Sequence, residues 1–155
     1  MKNISRLEKR AIEALAIAPV IRELSRILGE KEARDLLKDI NQREAFERGR
    51  NVAHHTQGNS IEILAKDVAT WGEDGVWEMD VLEQTPTTYF FNVTRCPYYE
   101  KYRELRLGEF GVEFSCCRDE PFARGLNPGL KLERTKTIMQ GGDICDFRYH
   151  LLPED

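Results

Sequence analysis

Cys96 joins a β-prone run, TYFFNVTR, to a helix-prone one that opens on Pro97. A thiol at the start of a helix can be held as a thiolate, because the helix dipole and the neighbouring Arg95 both favour the anion. The alternative is a cysteine that merely ends a strand. Asn92 shares the strand parity of Cys96 and could offer an amide to the same pocket or satisfy local backbone. In SCCRDEP, Cys117 continues the stripe of Phe110 and Phe114 and is expected to face inward. Asp119, two residues on, could act as a general base or orient a cation, or could simply be a helix-end carboxylate. In CDFRYHL, alternation places Cys145 with Phe147, Tyr149 and Leu151, opposite Asp146, Arg148 and His150. Cys145 then reads first as a small buried hydrophobe, and Asp146 as structural.

Metal and cofactor chemistry find no matching spacing. The four cysteines and three histidines contain no CxxC pair and no His pair three to five residues apart. Cys145 and His150 fall on opposite faces of their strand, so they do not share an ion. QGGD is a turn rather than a phosphate-binding loop, because neither GK[ST] nor GxGxxG is present. No metal and no cofactor are expected.

These residues need elements to position them. Leu7, Ala11, Leu15 and Ala18 recur at helical spacing, and Pro19 is expected to end or kink that helix. Val20 to Leu28 continue an apolar face to Gly29, and a further helix begins near Glu30 and runs to about HHTQGN. Asn59 with Glu62 resembles a capping box for the helix that follows. The Glu and Lys residues of EKRAIEAL read as a solvated helix face. From Trp77 the pattern changes. Trp77, Met79 and Val81 alternate with acids, TYFFNVTR forms a second strand, and PYYEKYRELRL forms a helix. EFGVEFSCC reads as a short helix followed by a Pro- and Gly-broken loop. LKLERTKTIM and ICDFRYHL flank Gly141–Asp143 and read as a hairpin. The expected class is α+β: N-terminal helices, then a mainly antiparallel sheet of about four strands in two hairpins with helices between. One domain is expected over residues 1–155, helical over 1–72 and sheet-containing over 73–155.

The totals exclude some functions. Net charge is −4 with no basic block, so nucleic acid is not an expected partner. The N-terminal apolar stretch is interrupted by Glu13, which fits neither a signal peptide nor a membrane span, and the expectation is a cytoplasmic protein with reduced thiols. The apolar residues of the N-terminal helices could serve a homodimer or a monomer core.

Taken in order, the second half resembles a known family. Asn92 and Cys96, Cys117 and Asp119, Asn127 with LKLERTKTI, then Gly141 and CDFR resemble the L-2-amino-thiazoline-4-carboxylic acid hydrolase family over about residues 77–151. The C-terminal hairpin is also similar to 4-vinyl reductase-type ligand-binding domains, a likeness of fold.

The resemblance implies hydrolytic opening of a small cyclic amidine bearing a carboxylate. A thiolate could attack the carbon between nitrogen and sulfur, or a base could activate water. On this reading Cys117 or Cys96 is the nucleophile, Asp119 binds the amidine or shuttles protons, and Cys145 lines the pocket. Arg134 grips the carboxylate and Asn92 is a second polar contact. Arg134 shares the parity of Leu130 and Leu132, so it points to the apolar side, where a ligand or a buried acid would partner it. A non-catalytic small-molecule-binding or sensor domain is the alternative.

Overall fold

The computed structural model describes residues 4–72 and 77–153. Three helices come first: α1 (Arg6–Leu28), α2 (Glu30–Thr56) and α3 (Ile61–Ala69). Then follow β1 (Glu78–Gln84), β2 (Thr88–Arg95), α4 (Pro97–Glu104), α5 (Gly111–Phe114), α6 (Asp119–Leu126), β3 (Leu130–Glu133) and β4 (Cys145–Leu151). The fold is α+β. Its four strands are antiparallel in the order β1-β2-β4-β3, so the two expected hairpins join through β2 and β4. The expected change of character at 72–73 abuts residues 73–76, outside the described residues. No helix among the described residues is long and apolar enough to cross a membrane.

Local chemistry explains the elements and corrects several expectations. Ser5 and Glu8 close a reciprocal capping box at the start of α1. The helix runs through Pro19 instead of ending there. A proline inside a helix removes one backbone bond and costs about 3 kcal/mol. Burial of Ala14, Ala18 and Ile21 against the rest of the chain offsets that loss. Ser60, not Asn59, caps α3, its hydroxyl accepting from the Ile63 amide, while Glu62 pairs with Lys66. His54 and His55 lie in the exposed last turn of α2.

The inner face of the sheet is aromatic. Tyr89, Phe91 and Val93 of β2 pack with Cys145, Phe147 and Tyr149 of β4, and Phe91 and Phe147 stack with centroids 4.6 Å apart. β1 is an exposed edge. Register shifts between Glu78 and Met79 and between Val81 and Glu83 break its alternation, so Val81 stands 50% exposed instead of joining Trp77 and Met79 against the core.

The stretch expected as a Pro- and Gly-broken loop is largely helical: a 3-10 turn over Cys116–Arg118 leads into α6. Pro121 falls in the first turn of α6, where its missing N–H costs nothing. The LKLERTKTIM strand is shorter than expected, because β3 ends at Glu133. The connection to β4 includes a 3-10 turn over Ile138–Gln140, closed by Gly141 at φ 91°. Asp146 anchors it, accepting from the Thr135 and Lys136 amides and the Thr135 hydroxyl.

α2 and α6 meet at backbone contact. A Cβ added at Gly49 would lie 2.1 Å from the Phe122 carbonyl oxygen, and one added at Gly125 would lie 2.1 Å from that of Phe46. A helix-interior Gly→Ala change ordinarily gains up to about 1 kcal/mol in propensity. Here steric overlap dominates, so Gly49→Ala is expected to destabilise by about 1–3 kcal/mol or more, read as a lowered urea midpoint.

Candidate functional site

Two apolar clusters build the molecule. One lies between the sheet, α3 and α6; the other joins α1, the first half of α2, α4 and α5. Trp77 and Cys96 pack against both clusters. At this junction a cavity of about 100 Å³ opens, large enough for a small ring and too small for a polymer.

Asp119 and Arg134 form its polar floor. Asp119 is the first residue of α6, and Arg134 follows the end of β3 on the inner side. Arg134 Nη1 donates to Asp119 Oδ2 at 2.6 Å, and Nη2 donates to the Cys116 carbonyl at 3.0 Å. The Arg134 guanidinium also lies 4.9 Å from the Phe147 ring centroid. The two side chains keep 16% and 17% of their surface open, and both line the cavity. Burial pushes the Asp119 carboxyl above its ordinary range, against the pull of Arg134, Arg118 and Arg6. Burial is the largest single influence on Arg134 and would lower its pKa, but the charge of Asp119, its hydrogen bond and the neighbouring Cys116 and Tyr149 together outweigh it and raise it.

Three thiols line the cavity: Cys96, Cys116 and Cys145. Cys117, expected to face inward along the helical stripe, is buried but absent from the cavity lining, and its Sγ donates to the Glu113 carbonyl. The reason is local geometry. The Cys116–Arg118 turn is a 3-10 helix with about 3.0 residues per turn, so α-helical spacing from Phe114 does not carry through it.

Asn92 is also elsewhere. Its Oδ1 accepts from Arg148 Nη2 on the opposite face of the sheet. Strand parity could not tie it to Cys96, because β2 ends at Arg95 and Cys96 already caps α4.

The thiols are not activated. Burial raises Cys96 to about 11, overcoming the backbone amides of Tyr99 and Tyr98 at the helix start, which reverses the expected lowering. Burial also raises Cys117 to about 11, Cys116 well above its ordinary value, with Asp119 adding to it, and Cys145 despite the Ile138 amide bonded to its sulfur. Alkylation of the folded protein at neutral pH is therefore expected to run at least tenfold slower than in urea, with a rate still climbing above pH 9. Iodoacetamide labelling with mass spectrometry across pH measures this.

Sequence reasoning missed the arginines. Arg6, Arg10, Arg48 and Arg118 join Arg134 on the lining, against only Glu44 and Asp119, in a chain of net charge −4. Arg48 pairs with Asp67 at 2.6 Å and lies 4.4 Å from the Phe122 centroid, and Arg118 reaches Glu44 and Asn41. The signal was present in the spacing. Arg6 and Arg10 extend, four residues at a time, the series of Ala14 and Ala18 that α1 buries. Trp71 and Trp77 add flat apolar walls, and the buried indole N–H of Trp77 has no hydrogen-bond partner among the described residues.

Among the described residues no three of His, Cys, Asp and Glu come together as metal ligands. The arrangement can enclose a small planar molecule, offer it a buried carboxylate, and surround it with guanidinium charge.

Comparison with known proteins agrees with this architecture. No curated protein matches the chain. Among five matching chains of solved structures is the phenol-responsive sensory domain of the transcription activator PoxR, crystallised with phenol. It shares 14% identity at a TM-score of 0.57, over 89% of this chain and 74% of that one, which is a likeness of fold. The family model for L-2-amino-thiazoline-4-carboxylic acid hydrolase matches residues 9–149. Spanning nearly the whole sequence, that match makes this chain a member of the L-2-amino-thiazoline-4-carboxylic acid hydrolase family.

Proposed function

We propose that the cavity opens a small cyclic amidine bearing a carboxylate, with water as the attacking group and Asp119 as the proton carrier. The observation that supports this most is the buried Asp119 carboxylate, held by Arg134 at 2.6 Å on the cavity floor. A carboxylate with a raised pKa is a stronger base than an exposed one, and it pairs readily with an amidinium. Thiolate attack is disfavoured, because the cavity thiols are held protonated and no histidine lines the cavity to deprotonate them.

In the proposed step, the oxygen of water bonds to the amidine carbon and its proton passes to Asp119. The tetrahedral carbon then collapses to a carbonyl, the ring C–N bond breaks, and the departing nitrogen leaves as an amine with both protons of the water, one returned by Asp119 and the other released by the collapsing hydroxyl. The products sum to substrate plus one water. The substrate carboxylate meets the arginine-rich lining, and Arg134 also keeps Asp119 in position. The ring packs against Trp71 and Trp77. Four unpaired thiols fit a cytoplasmic setting.

The test is direct. The protein is incubated with 2-aminothiazoline-4-carboxylate and the mixture followed by mass spectrometry. A catalytic gain of one water supports the reading. Tight binding without turnover supports the second reading, a sensor-like binding domain, which the fold shared with a phenol-responsive sensory domain favours.

A further inference from the structure

The outer side of α1 is exposed and packs against no other element among the described residues. Its inner residues Ala14, Ala18 and Ile21 are 1%, 2% and 3% exposed. Pointing away from them, Ile12, Ala16, Pro19, Glu23 and Ile27 form a seam with spacings of four, three, four and four, and all five are exposed. Glu23 is the only charge on that seam, and it is engaged by Arg26 at 2.6 Å. From Ala11 to Ile21 the sole charged residue is Glu13. A helix that is apolar on all sides is normally covered on all sides.

The exposed area is sizeable. Ile12, Leu15, Ile17, Val20, Ile27 and Leu28 stand 40% to 61% open. Ile12, Val20 and Ile27 lie along the seam, and Leu15, Ile17 and Leu28 flank it on either side, so exposed apolar side chains wrap more than half of the helix. A face of this extent can form the apolar core of the ~800 Å² that each partner contributes to a standard interface.

We infer that two copies of this chain pair through α1, with the seams crossing about a two-fold axis. A two-fold interface must be complementary to itself. This one qualifies, since its margin carries both signs, Lys9 and Arg26 against Glu8, around a seam whose one charge, Glu23, is already paired with Arg26. A membrane-seeking helix would instead carry a predominantly cationic polar face. The other exposed apolar pair, Val81 and Leu82, sits on the edge strand β1, which Glu78, Asp80, Glu83 and two register shifts guard against pairing. The pairing would also brace the cavity, because the opposite side of α1 supplies Arg6 and Arg10 to its wall.

Sedimentation equilibrium of the full chain at micromolar concentration tests this. The expected mass is twice the 18.0 kDa of one chain. Ile12→Glu and Val20→Glu should each return it to 18.0 kDa with an unchanged circular dichroism spectrum, and Leu82→Glu should leave it paired. Independently, Ala16→Cys should cross-link two chains under mild oxidation. A single-chain mass for the unmodified protein overturns the inference. So does a dimer broken only by Leu82→Glu, no cross-link at residue 16, or recruitment of single chains to lipid vesicles.

Discussion

On the proposed reaction, Asp119→Asn is expected to lower kcat/KM for 2-aminothiazoline-4-carboxylate by about 10²–10⁴-fold, the usual contribution of a positioned acid–base group, while the protein stays folded. The amide keeps the shape and can still meet Arg134, but it cannot hold a proton in transit. The pH profile carries the sharper signature. Only the ionised carboxylate accepts a proton from water, so activity rises with pH through the Asp119 pKa, and burial places that limb above the ordinary carboxylate range. The residual activity of Asp119→Asn loses the limb. Cys96→Ala, Cys116→Ala and Cys145→Ala each keep at least a tenth of the activity. A single cysteine variant that abolished turnover, with Asp119→Asn still active, would replace water by a thiol as the attacking group.

The second large effect is on stability. Arg134→Met leaves Asp119 buried without its cation, a class of change that costs about 3–5 kcal/mol. The cost depends on pH with a definite sign. Burial already raises the folded-state pKa of Asp119, so the folded protein holds this proton more tightly than the unfolded chain does. That contribution favours the fold at low pH and is lost as pH rises through the unfolded and then the folded value. Removing Arg134 removes an attraction that opposes the rise, so the folded pKa climbs further. Arg134→Met is therefore much more destabilised at pH 8 than near pH 4.5, measured by urea unfolding at both. Adding Asp119→Asn to Arg134→Met recovers most of the loss, since no buried charge remains, and the double-mutant cycle reports the coupling. Equal losses at both pH values would mean that Arg134 acts through packing on Phe147 rather than through charge.

Alternation in the C-terminal strands placed Cys145 and Arg134 on the buried side from sequence alone, and the structure brings both to one cavity with Cys96 and Asp119. Cys145 was legible because a strand alternates with a fixed period; Arg134 lies one residue beyond β3 and was legible because a charged group on an apolar face demands a partner. Cys117 and Asn92 were misplaced by extending a period past the end of its element: a 3-10 turn in one case, the end of β2 in the other. The thiol pKa values depend on burial from distant segments, which no local motif encodes. Gly49 and Gly125 lie on separate helices, each an unremarkable helical glycine until the other is opposite it. Arg6 and Arg10 were readable from their spacing to Ala14 and Ala18 but drew no reading, since long cationic side chains are usually surface charge.

That glycine crossing also has a temporal side. Residues 49 and 125 must meet before the second half of α2 has anything to lie against, and β2 pairs with β4 from a comparable remove. During synthesis, α1 and most of α2 emerge while α6 and β4 are still unmade. The site draws on residues from Arg6 to Phe147, so it cannot close on a nascent chain. Mixed helix-and-sheet topologies with such non-local pairings fold more slowly than helical bundles. The apolar faces of α1 and α2 are therefore made well before the segments that cover them, an interval in which they are open to non-native association.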